Sequence, residues 1–227
     1  MPTIPDGADL REQLFPAIER GDRALVERLL AAQPALASAR HGDGVSATLY
    51  SLYYREPEIA DLLASSGAEM TVFEAAALGQ TETLQELLAA DPARANAVSA
   101  DGFSPLGLAA FFGQPAAARL LLDHGADPNA VSQNAMRVAP LHSAVAARDL
   151  DIAEALLTHG ASVNAAQADD FTPLHEAAQN GQVEMIELLL AHGADSQARK
   201  RDGQTPLDVA REAGQQAAVA TLAEREG

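Results

Sequence analysis

The chain has 227 residues, 48% hydrophobic and 4% aromatic, with 15 basic against 32 acidic side chains and a formal net charge of −17. Such a charge is repelled by phosphate backbones and anionic membranes, which disfavours nucleic-acid and lipid binding. Cysteine is absent, so disulfides and thiolate metal sites are excluded. No stretch approaches the roughly 18 apolar residues of a membrane span, and the start, MPTIPDGADLREQLF, lacks the basic and apolar regions of a signal peptide. A soluble cytoplasmic protein is expected.

In chain order the pattern predicts seven helix-pair units. The first, 8–42, carries Leu14 and Ile18, a turn at Gly21, then Leu25, Leu29 and Leu30, and closes in QPALASA. The second, 43–69, departs most, with Tyr54 where a turn glycine is expected. The third, 70–100, ends in DPARANA, which resembles the end of the first. The fourth, 101–133, contains SPLGLAAFFG from Ser104 and HGADPNA from His124. The fifth, 134–167, has APLHSAVAAR from Ala139 and HGASVNA from His159. The sixth, 168–200, has TPLHEAAQNG from Thr172 and HGADSQA from His192. The seventh, 201–227, has TPLDVAREAG from Thr205 and a charged tail of Glu224, Arg225 and Glu226.

The local chemistry is that of short helices. Thr172 is a good N-cap, and Pro173 sits at the first helical position, where its missing N–H costs nothing. A helix from Pro173 to Asn180 ends at Gly181. A second, Val183 to Ala191, places Val183, Ile186, Leu189 and Leu190 on one apolar stripe, and Gly193 follows as a left-handed terminator. Between Gly67 and Thr71 there are too few residues for a hairpin, so one finger is expected to be missing. The connection VSQNAMRVAP is two residues longer than its counterparts.

Pro105, Pro140, Pro173 and Pro206 are spaced by 35, 33 and 33 residues. This period and wording resemble the ankyrin repeat family. The resemblance implies an all-α ankyrin-repeat solenoid of helix-turn-helix units with short protruding β-hairpin fingers, filling 1–227 as a single domain. The units 8–42 and 201–227 would be its N- and C-terminal caps, and a non-enzymatic scaffold for an unknown protein partner its function.

Catalysis finds little support in the residues. His124, His159 and His192 recur once per unit, at the 8–10 Å spacing of packed helices, too far apart to share an ion bound at about 2 Å. The resemblance makes His142 and His175 structural. The serines lie in framework positions without a nucleophile elbow, no phosphate loop or dinucleotide fingerprint occurs, and Asp169 and Asp170 read as turn chemistry on a solvated finger tip. No cofactor, metal or catalytic residue is assigned. The alternatives to a scaffold are a small-molecule or enzymatic site hidden in the groove, or a self-associating structural protein; a monomer is expected.

In the resembling family partners contact the finger tips and the two first-helix residues before the turn glycine. Carried over by position, these are Leu52 and Tyr53, Ala77 and Leu78, Phe111 and Phe112, Ala147 and Arg148, Gln179 and Asn180, and Glu212 and Ala213. Leu52, Tyr53, Leu78, Phe111 and Phe112 make the row apolar in units two to four, where an exposed patch would mark a binding site, although the aromatics could equally complete the core. At the tips the candidates are Phe103, Asn134, Met136, Arg137, Asp170, Phe171, Lys200, Arg201 and Gln204. Phe103 and Phe171 fill an often apolar finger position, and the basic run Arg199, Lys200, Arg201 could pair with acidic groups on a partner.

Overall fold

The structure, a computed structural model, describes residues 10–224. They fall into two compact units, Met1–Glu74 and Ala75–Gly227. The first nine residues and the tail residues Arg225 and Glu226 lie outside the described residues. The first unit holds α1 (Leu10–Glu19), α2 (Arg23–Ala32), α3 (Ala47–Tyr53) and α4 (Pro57–Ser65), and α5 (Val72–Leu78) spans the division. The second unit continues with α6 (Thr81–Ala90), α7 (Pro105–Phe111), α8 (Pro115–Asp123), α9 (Pro140–Ala146) and α10 (Leu150–Thr158). It ends with α11 (Pro173–Gln179), α12 (Val183–Ala191), α13 (Pro206–Glu212) and α14 (Gln216–Ala223).

Within each unit the helices stack in two rows, as an all-α repeat solenoid requires. In the first unit α1 packs on α3 and α2 on α4. In the second, α7, α9, α11 and α13 form one row, and α6, α8, α10, α12 and α14 the other. Each seven-residue first helix is too short to be stable alone. It is held by its cap and by the core between the rows. Ser46, Ser104, Thr172 and Thr205 accept from the backbone N–H three residues on. Leu106, Leu121, Leu141, Ile152, Leu156, Leu174, Ile186 and Leu189 are fully buried, each contributing about 2 kcal/mol of apolar transfer. In α12 the inward stripe is Met185, Ile186 and Leu189, with Val183 and Leu190 at its half-buried edge.

The fingers differ from β-hairpins in degree. Among the described residues the only strand-type pairing is an isolated bridge between Arg40 and Ser46. The first finger makes that bridge with two crossing bonds, His41 N–H to Val45 O and Ala47 N–H to Ala39 O (2.8 Å each). The fingers of the second unit are tight turns closed by one crossing backbone bond, such as Ser99 N–H to Phe103 O (2.9 Å) or Gln167 N–H to Phe171 O (3.0 Å), too short for a ladder. Between α4 and α5 the chain passes directly, without a finger. There Glu69 N–H donates to Ser38 Oγ at 2.8 Å.

A ladder of asparagines ties successive loops of the second unit. Asn96 Nδ2 donates to Gly125 O (2.9 Å) while its Oδ1 accepts from Asp127 N–H (2.8 Å). Asn129 repeats the pair with Gly160 and Ser162, and Asn164 with Gly193 and Asp195. These six bonds occupy loop backbone groups that neither row of helices can satisfy.

Candidate functional site

The backbone fixes which residues fill the first-helix row. Each turn after a first helix needs a residue with positive φ, and Gly21, Gly79, Gly113, Gly181 and Gly214 supply it at +64 to +70°. In the second repeat that residue is Arg55 (φ +61°), nine positions after the cap Ser46, and in the fifth it is Arg148 (φ +59°). Both assignments correct the sequence expectation. The row holds Tyr53 and Tyr54 instead of Leu52 and Tyr53, and Ala146 and Ala147 instead of Ala147 and Arg148. Tyr54, which the sequence reading missed as a contact position, is 45% exposed and stacks on Tyr50 at 4.7 Å between centroids. Arg148 instead turns its guanidinium to the next repeat, donating to Asn180 O at 2.8 Å.

In the other repeats glycine keeps the register, and Ala77 is buried, which takes it off the contact surface. Phe111 is 45% exposed, with Phe112 half-buried against it edge-to-face at 5.0 Å. Leu78 is half-buried, Gln179 exposed and Asn180 half-buried. Phe103 is different. It is buried beneath its finger, next to Gly107 of α7, where a Cβ would lie 3.7 Å from its ring. Its burial removes Phe103 from the contact surface.

The finger tips of the second unit form a concavity. Met136, Phe171, Lys200 and Arg201 line one cleft of about 550 Å³, together with Ala168 and Asp169. A second hollow of about 220 Å³ shares Phe171 and Lys200 and reaches Gln179. Four sequence-predicted tip residues thus meet in one place, although they come from three fingers. The longer finger supplies Met136, 58% exposed, and is braced from within. Ser132 N–H donates to Val138 O (2.9 Å), Val138 N–H to Ser132 Oγ (2.9 Å) and Met136 N–H to Asn134 Oδ1 (3.1 Å). Asn134 Nδ2 reaches Asp101 O at 3.2 Å, and Gln133 N–H donates to Gly102 O at 2.7 Å. Arg137 is exposed beside Met136 and does not line the cleft.

The cations of the cleft are paired. Lys200 Nζ is 2.8 Å from Asp202 Oδ2, and Arg201 Nη1 is 2.6 Å from Asp169 Oδ1. Arg201 N–H also donates to Asp169 O at 2.9 Å, joining the two fingers. Asp169 and Asp170 are consecutive exposed residues with positive φ, +62° and +59°. The finger therefore turns with aspartate where Gly102 and Gly203 serve elsewhere.

Buried histidines anchor these fingers from below. His142 Nε2–H donates to Phe171 O and His175 Nε2–H to Gln204 O, each at 3.1 Å. Because a carbonyl can only accept, the proton of each neutral ring lies on Nε2. Burial pushes His142 down to about 4 and lowers His175 as well. His175 Nδ1 faces Thr172 Oγ1 at 2.8 Å, whereas His142 Nδ1 is buried without a partner. On α11, burial raises Glu176 to about 7, and its Oε2 is enclosed without a hydrogen bond. His124 and His159 each place Nδ1 2.8 Å from a carbonyl of their own helix. Among the described residues no three His, Asp or Glu side chains gather as a metal site would need, and no helix is long and apolar enough to cross a membrane.

A family model described as ankyrin repeats (3 copies) matches residues 72–167 and, overlapping, 142–227. Comparison with curated proteins gives no match.

Proposed function

Since the chain belongs to the ankyrin repeat family, whose repeats are generally protein-protein interaction modules, we propose that it is a non-enzymatic scaffold that binds another protein through its finger tips and first-helix row. The observation that carries this reading is the finger-tip cleft. The long finger holds a large apolar side chain, Met136, in solvent although the core has no need of it. Phe171 faces the same hollow. Exposed apolar surface with a polar rim is the usual mark of a partner site, and aromatic anchors dominate the energetics of such contacts. Phe111 and Phe112 extend the same chemistry along the helix row.

The test is quantitative capture from cell lysate with the full chain, a Met136→Asp variant and a Phe111→Asp, Phe112→Asp variant, after circular dichroism has shown equal helicity. A partner held by the wild type and depleted at least tenfold by one variant supports the reading. Equal capture by all three overturns the proposed surface. On this reading the chain acts as a monomer in the cytoplasm. Sedimentation as a dimer at micromolar concentration would redirect its apolar residues to self-association.

A further inference from the structure

The residues four positions after each helix cap fall in register along the first-helix row: Leu108, Ser143, Glu176 and Val209. Leu108 and Val209 are buried and apolar. Between them, on the adjacent helices α9 and α11, a serine and a glutamate break the apolar series. Ser143 Oγ and Glu176 Oε2 are both enclosed without a hydrogen bond. Two further atoms share that condition, His142 Nδ1 on α9 and Gln182 Oε1 in the turn after α11, and among the described residues of the second unit there are no others. An enclosed polar atom without a partner is destabilising where an apolar atom would not be, so one layer of the unit carries this penalty alone. Packing is thinnest there too. Of the neighbouring helices in the two rows of the second unit, α9 with α11 and α10 with α12 make the sparsest contacts.

What bridges the layer is polar. Gln182 Nε2 donates to Val145 O at 2.9 Å, Arg148 to Asn180 O at 2.8 Å, His142 to Phe171 O at 3.1 Å and Asp195 N–H to Asn164 Oδ1 at 2.9 Å. Such bonds exchange for bonds to water when a layer parts, so each resists opening only weakly. The finger-tip cleft straddles this layer. Met136 precedes α9, whereas Phe171 precedes α11 and Lys200 and Arg201 precede α13. We infer that the second unit is jointed between α9 and α11, that ionisation of Glu176 loosens the joint, and that the cleft is intact only while the joint is shut. For what the joint regulates, this rests on the interaction reading above.

Opening lets water reach the Glu176 carboxylate. The other titratable groups of the helices packed on α11 are engaged elsewhere. His142 of α9 turns Nε2 to Phe171 O, and Glu184 and Glu187 of α12 are exposed. Asp208 of α13 accepts from Thr205 N–H and pairs with Arg211, and Glu212 accepts from Gln204. Burial alone raises Glu176, from 4.5 to about 7. The shut form holds that proton more tightly than the open form, so opening becomes easier as pH rises from about 4.5 to 7 and levels off above. His142, lowered from 6.5 to about 4, acts in the opposite sense wherever opening wets it. Comparing a Glu176 variant with the wild type at the same pH cancels that contribution.

Amide exchange on the full chain tests this, because matched clasps report on single layers. The Asp195 N–H bond to Asn164 crosses the joint, while Ser162 N–H to Asn129 and Asp127 N–H to Asn96 cross the layers before it. Rates are corrected for the intrinsic pH dependence of exchange. Protection of Asp195 in Glu176→Gln relative to the wild type should then grow roughly tenfold or more between pH 5.5 and 7.5, while the ratios for Ser162 and Asp127 stay constant. Glu176→Leu, which restores the apolar series of Leu108 and Val209, should do the same and serves if the amide variant folds poorly. A constant ratio at Asp195 overturns the inference. Equal growth at all three amides also overturns it, by placing Glu176 in global unfolding. No partner takes part in the measurement, so its failure leaves the scaffold reading standing, and loss of that reading leaves the joint standing.

Discussion

His142 Nε2 on α9 lies 3.1 Å from the carbonyl oxygen of Phe171, 29 residues away in the next finger. Phe171 also lines both hollows of the cleft, so a buried imidazole in one repeat sets the height of a contact residue in the next. His175 makes the equivalent bond to Gln204 and is itself held at Nδ1 by Thr172. His142 lacks that second partner because Ala139 stands at its cap position.

The missing cap can be restored. Ala139 already has the cap backbone, φ −82° and ψ 155°, close to the −94° and 164° of Thr172. Ala139→Thr should therefore supply an N-cap acceptor and a hydroxyl for His142 Nδ1, stabilising the fold by about 1 kcal/mol. Urea denaturation at pH 7 measures it. A variant no more stable than the wild type would mean that the hydroxyl cannot reach the ring.

Two buried groups should give stability opposing pH slopes. Glu176 titrates near 7 when folded against an ordinary 4.5, so between these values the folded state holds more protons, and stability falls as pH rises from about 4.5 to 7. His142 titrates near 4 against an ordinary 6.5, so the unfolded state holds more protons there, and stability falls as pH drops from about 6.5 to 4. Wild-type stability should be nearly flat between pH 5 and 6.5. Glu176→Gln removes one slope, on the order of 2 kcal/mol across its window, leaving a protein that loses stability steadily on acidification and exceeds the wild type at pH 8. Denaturation midpoints at half-unit pH steps would show this, and parallel curves for the two proteins would refute it.

Much of this was legible in the sequence, because the repeat wording is mostly scaffold. The cap Thr172, the proline at the first helical position and the apolar spacing each have a local cause, and the two helices of the sixth unit, expected at Pro173 to Asn180 and Val183 to Ala191, are found at Pro173–Gln179 and Val183–Ala191. The register of the second repeat was not legible by looking for glycine, since arginine takes the left-handed turn. Counting nine residues from Ser46 would have found Arg55. The cleft was harder still. Met136, Phe171 and Lys200 were each visible as tip residues, but nothing in one repeat says that three successive fingers converge. Phe103 and Phe171 occupy like positions, yet the first is buried and the second stays half-buried, stacked on His175 at 5.6 Å.

The asparagine ladder should carry measurable stability. Asn129 donates to Gly160 O at 3.0 Å and accepts from Ser162 N–H at 2.8 Å. Asn129→Ala removes both bonds and leaves two backbone groups to water, at a cost of about 1–2 kcal/mol. Amide exchange should quicken at Ser162 and leave Leu106 in α7 unchanged. Uniform quickening across both helix rows would mean that the ladder is not a local clasp.

The two left-handed arginines permit a matched comparison. An L-residue in this conformation costs about 1–2 kcal/mol that glycine avoids, against which glycine loses about 0.5–1 kcal/mol through the freedom of its unfolded chain. Arg55→Gly should therefore stabilise the protein by roughly 0.5–1 kcal/mol, the difference of those terms. Arg148→Gly gains the same relief but deletes the 2.8 Å bond to Asn180 O, itself about 0.5–1.5 kcal/mol, so its net change should be near zero or slightly destabilising. Thermal denaturation of both variants decides the matter. If Arg148→Gly is as stabilising as Arg55→Gly, the guanidinium contact contributes nothing to the fold; if neither stabilises, positive φ at these turns carries no strain.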